Sequence, residues 1–525
     1  MANNVENCEK VLIINRKRKY RVPKKQLLSV PYFEKMFSSD CVESQENKVK
    51  LDFDERVFDS IISWILSGQF NIRMEYAISF YEAADYLMIN ERFLEPCLSH
   101  FLENFTIENI PVLLPQVTKV SKFFTSGVIN NICRHFLMIT NTDIFLNYPV
   151  ETVEAILKLD LMVHSEYQIF ESIMKWVYED VESRKELLPR LLACVRWAFM
   201  DHDDICKIKN NELIKALPNF DEIISSNGEC AFDRSDQSFF LTIHQKADAT
   251  LLIKILNSDF ICLSIGDFTQ DDSISLEFVN EDHVSDILFD SGTKGIRIDW
   301  IKKTFRWLDF KGKVKTYYSN LIKFLVEFSD NLNYLCCYLE DADKDIPETI
   351  FPEEELLLES NGVFILIGKT KCEKQWFGLF PVAKHSWFND FRDQKHSFHA
   401  TVLDNTVYIL TKDLEFIQYD YETQCFEKND ELKEEKFKFN DLILISHKKN
   451  DEVILVNKAS GKVYVFCSDE EKWIEKFRIM NINLCTDSSG SDIDKLVAFT
   501  STFLPMQFIE PLYYESSEDS ILTTD

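Results

Sequence analysis

The sequence predicts a multidomain chain: an α/β domain at the N-terminus, an all-α domain in the middle and an all-β C-terminal domain, read as a six-bladed β-propeller. Three observations predict it. Behind two short strand-like runs, apolar residues keep helical spacing from Phe58 to Phe101. A second helical stripe with a sharp polar start runs from Ser165 to Val195. Beyond about residue 235 the period changes to short runs rich in Val, Ile, Phe and Tyr, punctuated by recurring aromatics.

Taken in order, Val11 to Ile14 and Tyr20 to Val22 read as strands around the basic turn Arg16-Lys17-Arg18-Lys19, and Leu27 to Phe37 reads as a helix. Phe58, Ile61, Ile62 and Ile65, then Phe80, Ala83, Ala84 and Leu87, then Leu94, Cys97, Leu98 and Phe101 are the core faces of three further helices. Ser165 with Gln168 three positions on reads as a capping box, and Phe170, Ile173, Met174 and Val177 continue an amphipathic helix. Asp180 and Arg184 are one turn apart and opposite in charge. Leu187, Leu188, Leu191, Leu192 and Val195 form the stripe of a second, packed helix.

Between Leu161 and Arg196, the residues Leu161, Val163, Ser165, Glu166, Phe170, Trp176, Val177, Asp180, Arg184, Leu191, Leu192, Val195 and Arg196 resemble the BACK domain that follows a BTB domain in Kelch-like proteins. The N-terminal segment, with Pro31-Tyr32-Phe33, Met36-Phe37, Val49-Lys50-Leu51 and Ala83-Ala84-Asp85-Tyr86-Leu87, resembles a BTB/POZ domain. The expected boundaries are 1–104 for BTB/POZ, 105–234 for BACK, 235–510 for the propeller and 511–525 for an acidic disordered tail.

In the C-terminal half an aromatic, six residues and a second aromatic recur as Trp300 to Trp307, Phe380 to Trp387, Tyr419 to Phe426 and Phe466 to Trp473. The first aromatics lie 80, 39 and 47 residues apart, which leaves room for one weak unit near Cys337-Tyr338. Repeats of ~40 to 50 residues suit propeller blades, and about six of them fill this half. His399 to Phe426 looks like one Kelch repeat. It departs from that pattern because no Gly-Gly pair occurs anywhere: Thr411-Lys412 and Asn457-Lys458 stand in those places, with Gly368 in a third unit. The domain is therefore expected to be a degenerate Kelch-like propeller, a β-sandwich or other β-propeller being the alternative.

Composition restricts function. The formal charge is −29, and residues 1–25 carry +6, leaving −35 on the rest. Nucleic-acid binding is disfavoured, since phosphate contacts need Lys and Arg. No run approaches the ~18 to 20 apolar residues of a membrane span, and Met1 to Lys10 has no signal-peptide core, so a cytoplasmic or nuclear protein without membrane contact is expected. The 14 cysteines show no C-x-x-C pair or ligand spacing. Phosphate-loop, nucleophile-elbow and zinc-protease motifs are absent; no catalytic residue, cofactor or metal is assigned. Asp393, His396 and His399 form the one local histidine cluster, read as a solvated loop.

The resemblance implies a non-catalytic substrate receptor of a cullin-3 RING ubiquitin ligase, homodimeric through BTB, with an unknown protein substrate on the propeller. Family members carry a hydrophobic residue, any residue, then Glu after the Met-Phe that ends the third helix; here Met36-Phe37 is followed by Cys41-Val42-Glu43. Cys41 and Glu43 are the expected cullin-binding residues. Cys41 is smaller than the usual Leu or Met, and a large buried anchor contributes ~1.5 to 3 kcal/mol. About ten residues precede Val11, so the swapped part of a family dimer is expected to be missing, and Val22-Pro23-Lys24 replaces the usual Ala-His-Arg or Ala-His-Lys. A scaffold of the same architecture that does not bind cullin is the second reading. Arg297, Lys302, Lys303, Arg306, Arg392 and Lys395 are candidates for holding an acidic substrate.

Overall fold

The computed structural model describes residues 9–308 and 398–505 apart from short interruptions (40–41, 70, 90–94, 118–121, 226–231 and 247 in the first range; 421–422, 424, 430–431, 433–436, 469 and 480–494 in the second) and, between them, chiefly 352–360, 363–370 and 376–377. The chain divides into two compact units, Met1–Ile129 and Asn130–Asp525.

In the first unit, β1 (Lys10–Asn15) pairs antiparallel with β2 (Arg18–Pro23) and parallel with β3 (Lys48–Leu51). The side chain of buried Asn15 donates to Phe53 O and accepts from Phe53 N, tying the end of β1 to the chain beyond β3. The helix expected over 27–37 is two pieces, α1 (Lys24–Leu27) and α2 (Pro31–Ser38). Pro31 is the cause: it opens α2 at its first turn, and the residue before a proline is driven out of the helical region, as Val30 is at φ −100, ψ 119. After α3 (Val42–Glu46), α4 (Glu55–Ser67) starts at Asp54, whose carboxylate accepts from Arg56 N and Val57 N, and ends at Gly68 in the left-handed region. Then come α5 (Ala77–Tyr86), α6 (Glu95–Asn104) and α7 (Ile110–Leu113). Val11, Ile13, Phe33, Phe58, Ile61 and Phe80 are among the core residues, in the periodicity read from the sequence. The basic turn is partly neutralised: Arg16 pairs with Asp52, and Arg18 with Glu55 and Asp59.

Helix α8 (Lys122–Arg134) leads into the second unit, where α9 (Phe136–Ile139), α10 (Asp143–Leu146), α11 (Val150–Leu157), α12 (Glu166–Glu179), α13 (Val181–Arg184), α14 (Leu188–Leu192), α15 (His202–Lys209), α16 (Glu212–Lys215) and α17 (Phe220–Ser225) follow. Ile169, Phe170, Ile173 and Val177 of α12 are buried, as are Leu188, Leu191 and Leu192 of α14.

Beyond residue 237 the described elements are almost all strands. The sheet β4 (Ser238–Gln245), β5 (Leu251–Leu256), β6 (Cys262–Gln270) is joined on one side by the last strand, β21 (Lys495–Phe503), so that chain end and domain start share a sheet. This is how a propeller closes. On its other side β6 meets β9 (Thr304–Trp307) in parallel, and β8 (Lys294–Asp299) and β7 (Val284–Phe289) complete a seven-stranded sheet. Its two ends curl together: Thr500 Oγ1 on β21 donates to Leu288 O on β7 at 2.8 Å. Two expected units thus share one nearly closed sheet filled by Phe239, Ile253, Phe268, Ile296 and Trp300.

The remaining sheets keep the blade pattern. They are β10 (Pro352–Ser360), β11 (Val363–Thr370), β12 (Trp376–Phe377); then β13 (Phe398–Leu403), β14 (Thr406–Thr411), β15 (Phe416–Asp420), β16 (Cys425–Asn429); then β17 (Leu442–His447), β18 (Glu452–Asn457), β19 (Lys462–Cys467), β20 (Lys472–Arg478). Their first strands succeed one another in space, β10 beside β13, β13 beside β17 and β17 beside β21. The whole fits a degenerate Kelch-like propeller. The unit expected near Cys337-Tyr338 and the pair Phe380 to Trp387 lie outside the described residues.

Candidate partner-binding site

Helix α2 is anchored by buried Phe33, and Met36 and Phe37 pack on the core of the first unit. Ser44 Oγ donates to Phe37 O at 3.3 Å, holding α3 against the end of α2. Helix α3 buries none of its residues: Val42 is 63% exposed, and Glu43 is exposed with no ion pair among the described residues. Cys41 lies outside the described residues. On the other side of α2, Tyr32 meets the half-exposed ring of Tyr86 at 5.2 Å, and Lys35 Nζ reaches Met88 Sδ at 3.4 Å. Single exposed apolar residues are ordinary, but here a carboxylate and several large side chains border one short helix. Tyr86 falls off the Phe80, Ala83, Ala84, Leu87 stripe, and an aromatic on the polar side of a helix is the signal that marks it in the sequence.

In the helical part of the second unit, the polar residues that punctuate the apolar stripe are structural. Glu166 is fully buried beside buried Arg234 at 3.4 Å and accepts from Arg196 N at 2.9 Å. Arg234 also donates to Leu157 O at 2.6 Å, Arg196 pairs with Asp160 at 2.6 Å, and Gln237 donates to Leu161 O. Burial raises the Glu166 carboxyl above its ordinary range, with the Arg234 charge and the Arg196 amide pulling the other way. The segment that leads into β4 is thereby bolted to the helices.

The expected capping box is rearranged. Ser165 stands at the start of α12 without a side-chain cap, and Gln168 Oε1 accepts from His164 N instead of Ser165 N. Asp180 caps α13 through Ser183, while the Arg184 guanidinium lies 4.1 Å over Trp176 and donates to the carbonyls of Leu146 and Trp176. A planar guanidinium stacks and forks where a simple one-turn ion pair would use neither property.

Among the substrate candidates, Arg297 is buried in a bidentate pair with Asp286 at 2.7 and 2.8 Å and cannot face a ligand outside. Lys302 pairs with Asp299, and Arg306 donates to Ile274 O. Arg392, Lys395, Asp393 and His396 lie outside the described residues; His399 is half-buried and stacked on Phe439, and burial depresses it to about 4. Among the described residues no group of three or more His, Cys, Asp or Glu has metal-binding geometry, and no helix is long and apolar enough to cross a membrane.

Comparison with known proteins adds family matches to this geometry. The BTB/POZ domain model matches residues 1–104, and the BACK (BTB And C-terminal Kelch) model matches residues 124–209. Kelch-like protein 40a of Danio rerio is 29% identical over 180 residues, 32% of this chain and 28% of that protein. Kelch-like protein 6 of Homo sapiens is 30% identical over 173 residues, again 32% of this chain and 28% of the relative. Kelch-like protein 17 of Mus musculus is 26% identical over 176 residues, 33% of this chain and 27% of the relative. The matched segment therefore spans under a third of each of these curated relatives.

Proposed function

We propose that the chain, which matches the BTB/POZ and BACK models and is similar to Kelch-like proteins, is a divergent BTB-BACK-Kelch protein and a non-catalytic, substrate-recruiting adaptor of a cullin-3 RING ubiquitin ligase. The BTB and BACK domains bind the cullin, the β domain binds a protein substrate, and two chains pair through BTB. The observation that carries the reading is the exposure of α3: Val42 and Glu43 stand in solvent a few positions after the Met36-Phe37 in the last turn of α2. In this role Glu43 accepts hydrogen bonds from the cullin, and Cys41 is the apolar anchor. A central contact of that kind decides affinity more than total area does.

Light scattering on the full chain mixed with the cullin-3 N-terminal region tests both parts. A complex of two chains with two cullin fragments is the expected result; a monomer that ignores the cullin contradicts it.

Cys41 itself favours a second reading, a scaffold of the same architecture with no cullin partner, because a cysteine side chain buries less apolar area than Leu or Met. Substituting Cys41→Leu separates the readings: an adaptor gains affinity, whereas a scaffold stays silent.

A further inference from the structure

Inside the second unit, strands β7, β10, β13, β17 and β21 and the end of α8 border an open cavity of about 310 Å³. That lies at the small end of the ~300 to 1,000 Å³ typical of ligand pockets. Its wall carries Arg134 and Lys448 beside Asp286, Asp290 and Glu359, and the Arg134 guanidinium has a bond left to make. Arg134, the last residue of α8, donates from Nη2 to Ser285 Oγ at 3.0 Å, while its buried Nε has no acceptor among the described residues. The carboxylate that feels this guanidinium, Asp286, is already held in a bidentate pair by Arg297. Asp290, also in the wall, is neutralised by Lys294 at 2.6 Å, and exposed Glu359 stands in the wall on β10.

The rest of the lining suits a ligand with several oxygens. Thr401 Oγ1 lies 2.8 Å from Ser446 Oγ, which donates to Val402 O, and Thr500 Oγ1 donates to Leu288 O, so these hydroxyls offer lone pairs to the hydroxyl groups of a ligand. His164 presents a buried Nδ1 with no partner among the described residues, its ring 4.7 Å from Phe503. A buried donor left unmade is costly, and a guanidinium is best completed by an oxyanion, which accepts from its planar fork.

We propose that this cavity is a binding site for a small oxyanion, a phosphate or carboxylate group on a molecule about the size of a monosaccharide phosphate. Arg134 anchors the charge, and the Thr401 and Ser446 hydroxyls orient the body of the ligand. Helical and β elements both line the cavity, so an occupied site stabilises their docking.

Thermal unfolding of the full chain in phosphate and in citrate, against sodium chloride of matched ionic strength, tests this, with calorimetric titration of the same two anions. The expected result is a midpoint that rises and saturates with at least one anion, one site per chain, and a loss of at least about tenfold in affinity in Arg134→Gln. Saturation matters because excluded salts stabilise proteins without a site. Thr401→Val, which leaves Arg134 in place, should weaken binding several-fold, and Arg190→Gln, whose guanidinium pairs with Glu154 on the helical surface, should not. A phosphate-only or citrate-only response identifies the group recognised. No saturable binding of either anion, or equal binding by wild type and Arg134→Gln, overturns the proposal.

Discussion

Glu166 and Arg234 are both removed from water, so the pair is more expensive to break than to replace. Arg234→Met leaves a buried carboxylate with its main partner gone and is expected to cost roughly 3 to 5 kcal/mol in urea unfolding, while Arg190→Gln, on the exposed side of α14, should cost less than about 1 kcal/mol. A pH effect follows from two histidines, buried His135 and half-buried His164. Burial pushes His135 and His164 from 6.5 down to about 3. Below pH 6.5 the unfolded chain takes up these protons and the folded one does not, so stability falls as pH drops from about 6.5 toward 3. The slope is about 1.4 kcal/mol per pH unit for each group. Denaturation midpoints at pH 7.5 and 5.5 measure it, and His164→Gln should remove one proton from the slope. Of these residues, Glu166 stood out in the sequence by its register in the BACK pattern, but its partner Arg234 lies 68 positions away with nothing local to connect them. Arg184 was legible as part of the pattern and misread in its contact, because a charge one turn from Asp180 looks the same whether it pairs with it or stacks on Trp176.

Strands and helices were legible where one face is buried. The spacing of Tyr419 to Phe426 and of Phe466 to Trp473 has a direct cause: both are cross-strand partners in hairpins, β15 with β16 and β19 with β20. The parallel contact of β6 with β9 was not legible, since it rests on two residue pairs, Thr269 with Thr304 and Gln270 with Phe305, between edges that carry no pattern of their own. Turns show how a blade survives without glycine pairs: Leu414 takes φ 61 and Asp404 φ 51, strained conformations that other contacts hold in place. Gly461 is the opposite case. It has φ +69, and a Cβ there would stand 2.2 Å from Ile479 O. Gly461→Ala should destabilise the β domain by about 2 kcal/mol or more, read from its thermal midpoint, because both backbone conformation and space are lost.

For the molecule as a whole, two domain types and an all-β remainder were readable because each is built from local periodicity, whereas a substrate is chosen by loops whose residues follow no period. Buried Arg297 shows how poorly single basic residues predict a binding face. The exposed α3 is the surface proposed to meet a cullin. Calorimetric titration of the full chain with the cullin-3 N-terminal region, beside Glu43→Lys, tests it most directly. Submicromolar binding that weakens at least about tenfold in Glu43→Lys is the result expected from a charge reversed at a central contact. A folded chain that takes up no cullin, or one that binds equally well with Lys at position 43, would contradict the adaptor and leave the scaffold.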